Sequence, residues 1–324
     1  MVERLSAWRL KLVRASTRAF YREGRKLEGY SLLDFVHGYI YGRWPYEYIG
    51  TAIRPKSTPF WKRPVAYVGL WAAARKKGQT EPGHNVFSDH YHGKVMPLDA
   101  AERLVTLHID LDWRGLEQVI PYPAARDIVL KHPDRIVALE CPCRSARENP
   151  CLPLDVCLIV GEPFASFIAE HHPKRSRWID QGEAVEILRA EHERGHVHHA
   201  FFKDAMLGRF YAICNCCSCC CGAMQSFLHG TPMLASSGYV SRVEAEACVL
   251  CGACVQTCPF GALELGENAV RVDEARCMGC GVCVSKCPNG ALSLIRDATK
   301  PEPLDVGEKL GTQTPFPATA RPAK

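Results

Sequence analysis

The sequence predicts an α+β protein with a helical, basic N-terminal region, a cysteine-rich α/β middle domain and a C-terminal unit built as an internal repeat. Three observations predict this. Cysteine is far above ordinary usage, at 18 of 324 residues. The pattern C-x2-C-x2-C-x3-C-P occurs twice, at Cys248–Pro259 and Cys277–Pro288, and each copy runs on into Gly-Ala-Leu-x-Leu. The apolar spacing also changes along the chain, from helical near the N-terminus to short strands alternating with helices between about 101 and 235. With 47% hydrophobic residues the composition is that of a globular chain of two or three domains. The expected boundaries are 1–100, 101–235, 236–296 and a disordered tail over 297–324.

From the N-terminus, Leu5, Trp8, Leu12, Ala15 and Ala19 fall on one side of a helix over 3–27, with Lys11, Arg14, Arg18 and Arg22 on the adjacent face. Ser31 then caps a second helix, with Asp34 at the capping-box position. Residues 1–80 carry 16 Lys/Arg against 5 Asp/Glu, whereas the remainder carries 24 against 30. Such asymmetry fits simple packing of apolar faces, docking to a partner subunit, or peripheral contact with an anionic membrane surface. Nucleic acid is not expected, since no stacking module or helix-turn-helix accompanies the charge. Residues 51–100 read as loop. His84, His90 and His92 fall there, as exposed residues or as metal or proton-relay groups.

The middle region reads as a helix over 124–131, strands over 135–140 and 155–160, helices over 163–171 and 181–194, then strands over 196–202 and 208–213. Ten cysteines lie at or just beyond the strand ends: Cys141, Cys143, Cys151 and Cys157, then Cys214, Cys216, Cys217, Cys219, Cys220 and Cys221. The first four form one candidate quartet. Three readings stand for this set: one or more additional iron–sulfur centres, structural zinc, or free thiols. Six cysteines within eight residues exceed what one cluster needs. No secretory leader and no apolar run of about 18 residues is visible, so the expected place is the reducing cytoplasm, free or on the cytoplasmic face of a membrane.

In the C-terminal repeat, three thiolates at C-x2-C-x2-C spacing embrace one iron–sulfur cube, while the Cys before proline reaches the other. One cluster takes Cys248, Cys251, Cys254 and Cys287; the second takes Cys277, Cys280, Cys283 and Cys258. On these motifs, residues 240–296 resemble the bacterial two-cluster 4Fe-4S ferredoxins. That resemblance implies a pseudo-twofold βαββαβ fold, two 4Fe-4S clusters and single-electron transfer. The run Ile-Cys-Asn-Cys-Cys-x-Cys-Cys-Cys ahead of such a unit also resembles longer, cysteine-rich 4Fe-4S-binding proteins of anaerobic bacteria.

No Gly-x-Gly-x-x-Gly after a strand, Walker loop or Gly-x-Ser-x-Gly is present. The leading expectation is therefore an electron carrier, or the wiring subunit of a cytoplasmic oxidoreductase system, with separate proteins as donor and acceptor. One alternative is a reductase binding substrate at an iron–sulfur centre at Cys214–Cys221, with His196, His198 and His199 nearby. The other is a redox sensor.

Overall fold

A computed structural model describes residues 13–53, 64, 67 and 86–309. Mixed helices and strands make the protein α+β. The body is a twisted eight-stranded sheet built from β1 (Tyr91–Met96), β2 (Leu111–Trp113), β3 (Ile128–Leu139), β4 (Cys157–Glu162), β5 (Ser176–Ile179), β6 (Val197–Lys203), β7 (Arg209–Cys216) and β8 (Leu234–Ala235). Their order is β2-β3-β4-β7-β6-β1-β8, with β5 also paired to β3. All pairs are antiparallel except β1 with β8.

Side chains alternate between the two faces of a strand, so the sheet separates two cores. On one face Val137, Leu139, Ile159, Val197 and Phe201 pack with the N-terminal helices and with the helix Phe164–His171. On the other, Ile136, Ala138, Leu158, Val160, Ala200 and Phe202 pack under the helices Leu98–Val105 and Gln181–Glu193. The result is a helix–sheet–helix sandwich.

The N-terminal helices described are Ala15–Gly24, Leu32–Arg43 and Pro45–Ile53. The expected capping box is present, with the Ser31 side chain accepting from the Asp34 amide and Asp34 returning the bond to Ser31. Phe20 is wholly buried and meets Phe35, Phe164 and Phe167 edge-on at centroid distances of 5.4, 5.6 and 5.6 Å. At Gly38 a Cβ would come within 2.1 Å of the Ala205 carbonyl, so only glycine lets this helix lie so close to the β6–β7 turn. Residues 3–12 of the first expected helix, and His84, lie outside the described residues.

Three expectations are corrected. The helix expected over 124–131 is absent: Ile128 begins the long strand β3, because Ile128, Val129 and Leu130 are buried in the sheet, where β-branched residues pack well. The loop expected up to residue 100 holds the strand β1, so His92 is buried, stacked on Tyr122 at 3.8 Å. His90 sits 3.3 Å from Asp204. The tail is ordered as far as residue 309: Leu304 and Val306 enter the second core, and the buried Lys94 ammonium donates to the Glu302 carbonyl at 2.7 Å. Residues 310–324 lie outside the described residues. No helix among the described residues is long and apolar enough to cross a membrane.

The C-terminal unit runs β9 (Tyr239–Val243), helix Ala253–Thr257, β10 (Leu263–Leu265), β11 (Val270–Val272), helix Val282–Lys286 and β12 (Leu292–Arg296). Pairing is β9 with β12 and β10 with β11, both antiparallel. This is the expected βαββαβ order. The unit rests on the body through Ser237, whose amide donates to the Met278 carbonyl and whose hydroxyl donates to that of Gly279.

Candidate metal centres

Each half of the C-terminal repeat folds its cysteines around a recess. Gly252 and Gly281 adopt φ of 73° and 80° and turn the chain into the two short helices that follow. At these left-handed positions a side chain would be strained. One recess, about 340 Å³, is lined by Cys248, Cys251, Cys254 and Cys287. The other, also about 340 Å³, is lined by Cys258, Cys277, Cys280 and Cys283. The structure thus brings together both quartets that the spacing predicts, including the exchange of Cys258 and Cys287 between halves.

Backbone amides are aimed at these sulfurs. Ala262 donates to Cys258 Sγ at 3.3 Å, and Ala291 donates to Cys287 Sγ at 3.2 Å, four residues on in each half. The Ser241 amide donates to Cys277 Sγ at 3.4 Å. The donor set suits an iron–sulfur cluster: four soft thiols about a recess, with N–H groups that favour negative charge on sulfur. Burial pushes the Cys283 thiol up to about 12 and Cys280 well above its usual value. Such thiols ionise only beside a compensating cation.

The two recesses differ in surroundings. Cys251 is exposed and Val249 beside it is 66% exposed. Phe260, Met278, Cys280 and Val282 instead belong to the same core as Cys141, Cys157, Cys216 and Cys221 of the body. One quartet faces outward and the other faces the body.

The ten remaining cysteines sort into two groups. Strand β3 ends just before Cys141, and the turn Pro142–Ser145 carries Cys143. Cys157 opens β4, Cys214 and Cys216 end β7, and Cys221 precedes the helix Gly222–Leu228. These six thiols form a chain of contacts, Cys214 to Cys157, Cys141, Cys143, Cys221 and Cys216, around a largely apolar cavity of about 780 Å³. The hydrogen bond with Cys143, together with burial, pushes Cys141 up to about 12.

Two features shape this cavity that the sequence reading missed. Between the pairs Phe201–Ala212 and Phe202–Phe210 the β6–β7 register skips Tyr211. That bulge turns Tyr211 to the cavity, where its hydroxyl meets that of Tyr41 at 2.7 Å. Beneath the thiols lies the buried Arg144, which donates to the Asn215 carbonyl at 3.0 Å, approaches His196 Nδ1 at 3.0 Å and pairs with buried Glu191. Although burial opposes it, Glu191 keeps this guanidinium charged. The one signal for Arg144 in the sequence is its place in Cys141-Pro-Cys143-Arg144.

The second group is Cys151, Cys217, Cys219 and Cys220, whose sulfurs all lie within 4.8 Å of one another. The quartet expected from sequence, Cys141, Cys143, Cys151 and Cys157, is therefore not assembled, and Cys151 is the member that departs. Among the histidines, His196 bonds Glu191 at 2.6 Å and His198 bonds the Asn215 side chain at 2.6 Å. His199 is wholly buried, and the Val197 backbone is the polar group that favours a proton on its ring.

A comparison with protein-family models matches residues 247–291 to the 4Fe-4S dicluster domain. A search of curated proteins finds no match. The matched segment is well under half of the chain, and it supports 4Fe-4S binding and an iron–sulfur electron-transfer role for the C-terminal unit.

Proposed function

We propose that the chain is a cytoplasmic electron-wiring protein. In this reading the C-terminal unit holds two 4Fe-4S clusters and connects an external redox partner to a further iron–sulfur centre on the six-thiol ring of the body. The carrying observation is the shared core: Cys280, Met278 and Phe260 pack in one cluster with Cys141, Cys216 and Cys221. Phe227, on the helix that follows Cys221, meets Phe260 edge-on at 6.0 Å. The inward quartet thus abuts the ring, and the exposed Cys251 end is left for the partner.

The clusters, when bound, supply one-electron redox chemistry. The chain's own residues do the rest. Eight thiols hold the two C-terminal sites, and the amides of Ser241, Ala262 and Ala291 favour negative charge on their sulfurs. Arg144 offsets charge on the ring, and Tyr41, Ile159, Ile168 and Phe201 keep water from it. The helix Ala15–Gly24, which carries Arg18 and Arg22, and the exposed Leu32 and Leu33 offer a further candidate surface for docking a redox subunit or an anionic membrane face.

A second reading, a reductase, is favoured by one observation. The apolar cavity at the ring shares Tyr41, Ile49, Tyr91, Cys143 and Ala223 with an adjoining cavity of about 1150 Å³ that Lys203 also lines. Substrate would sit there.

The test uses anaerobically purified full chain and EPR. A Cys283→Ser variant, which loses the inward site, should leave the outward site reducible while slowing reduction of the middle centre by a protein donor at least tenfold. An unchanged rate sinks the wiring reading. Turnover of a substrate that fills the cavity would establish the reductase.

A further inference from the structure

We propose that Cys151, Cys217, Cys219 and Cys220 hold a single divalent, thiophilic ion, zinc or ferrous iron, in a closed tetrathiolate site separate from the six-thiol ring.

Sulfur spacing separates one ion from a cluster. Four thiolates on one tetrahedral ion at a metal–sulfur distance of ~2.3 Å lie about 3.8 Å apart. Here Cys151 and Cys219 Sγ are 3.3 Å apart, Cys219 and Cys220 Sγ are 3.7 Å apart, and all four lie within 4.8 Å. A cube puts each thiolate on a different iron and so spreads the sulfurs around its body. The C-terminal quartets have that second form: they surround recesses, and among the described residues neither brings its four sulfurs within 4.8 Å of one another as this group does. One chain thus displays both geometries.

The surroundings are built for the tight form. Three of the thiols come from the single turn Cys217-Ser-Cys219-Cys220, and the fourth comes from a loop 68 residues away from Cys219. Arg147 donates twice to the Cys220 carbonyl, at 3.1 and 3.0 Å, and once to the Gln225 side-chain oxygen at 2.7 Å. Gln225 in turn donates to the Cys219 carbonyl at 2.9 Å. Both carbonyls of the adjacent pair are held in place, which fixes the turn that lets neighbouring thiols converge. The Arg147 guanidinium also offsets the negative charge that four thiolates keep after binding a divalent ion.

Four protein thiols leave no open coordination position, which marks a structural rather than a catalytic ion. Its work is to staple two segments that carry the ring. Cys151 lies between Cys143 and Cys157, and Cys217, Cys219 and Cys220 lie between Cys216 and Cys221. Cys217 also lines the ring's cavity, so the staple borders the space it shapes. The inference does not depend on what the ring holds.

A single ion adds metal without sulfide, whereas a cluster adds both. In anaerobically purified full chain, Cys219→Ser and Cys151→Ser should each lose one iron or zinc per chain, with acid-labile sulfide and the EPR signals of the C-terminal sites unchanged. Metal and sulfide falling together would mean a cluster, and neither falling would mean free thiols or a disulfide; either overturns the proposal. Should the variants fail to fold, the wild-type protein decides. A zinc-edge absorption spectrum with four sulfurs and no metal neighbour, or a Mössbauer component from one ferrous ion outside the clusters, supports the site. Absence of both overturns it.

Discussion

Cys214 lies directly opposite Cys157 in the β4–β7 pair and directly opposite His199 in the β6–β7 pair. Directly opposed residues share a sheet face with Cβ atoms about 4.5–5.5 Å apart. Two registers therefore set a thiol, a thiol and an imidazole in a row across three strands. Burial lowers the His199 pKa to about 3, so its ring is neutral and keeps one N–H to donate. We expect that N–H to support thiolate or sulfide at the ring. His199→Phe, which keeps a buried ring without a donor, should weaken metal retention by about 10–100-fold, the usual effect of losing such a partner. Iron content after challenge with a chelator measures this, and unchanged retention in a folded variant refutes it.

The exchanged ligands give a second prediction. Cys287 lines the recess of Cys248, Cys251 and Cys254, although it follows Cys283 in sequence. Cys287→Ala should damage the outward cluster, and Cys258→Ala the inward one. EPR of the reduced variants reads the outcome, and each variant losing the cluster local to it in sequence contradicts the assignment.

What was legible in the sequence follows from how local each feature is. The capping box of Ser31 and Asp34 spans four residues, and the C-terminal quartets need two short repeats. Both were readable. The split of the middle cysteines was not, because Cys151 meets Cys219 only after β3, β4 and β7 have fixed their registers. Spacing alone joined Cys151 to its sequence neighbours Cys141, Cys143 and Cys157. Tertiary burial likewise overrode local pattern at Ile128 and at Leu304, which entered the sheet and the second core.

The basic N-terminus offers a third test. Charge suggested docking, but the faces opposite the arginines are core: Phe20, Tyr41 and Tyr48 are all buried, and Tyr41 lines the thiol cavity. Phe20→Ala should cost about 3–5 kcal/mol, as for other buried aromatics. Arg14→Glu with Arg22→Glu, both exposed, should leave stability within about 0.5 kcal/mol, as for exposed positions. If those charges dock a partner or a membrane, association falls in the double variant and in high salt. Denaturant midpoints and binding at two ionic strengths separate the two roles.

The last prediction concerns acid. His192, on the helix Gln181–Glu193, and His198, on β6, stack at 5.4 Å, and burial lowers their pKa values to about 4 and about 3. Burial outweighs the neighbours, which pull both ways: Lys286 opposes a proton on His192 while Glu193 and Glu102 favour it, and His192 and His196 oppose one on His198 while the Asn215 hydrogen bond and Glu191 favour it. His192 Nδ1 and His198 Nε2 are buried without hydrogen-bond partners among the described residues. In the unfolded chain both rings titrate near 6.5. Above that value both states are neutral and the pair does not affect stability. As pH falls from about 6.5 toward 4, the unfolded chain takes up protons that the folded protein refuses, so stability drops. The slope is up to about 1.4 kcal/mol per pH unit for each ring. Iron–sulfur sites also fail in acid, so the measurement is a difference. His198→Gln, which retains a partner for Asn215, should show a shallower loss of the unfolding midpoint between pH 6.5 and 5 than the wild type. Parallel slopes in the two proteins would show that the buried histidines do not govern the acid limit.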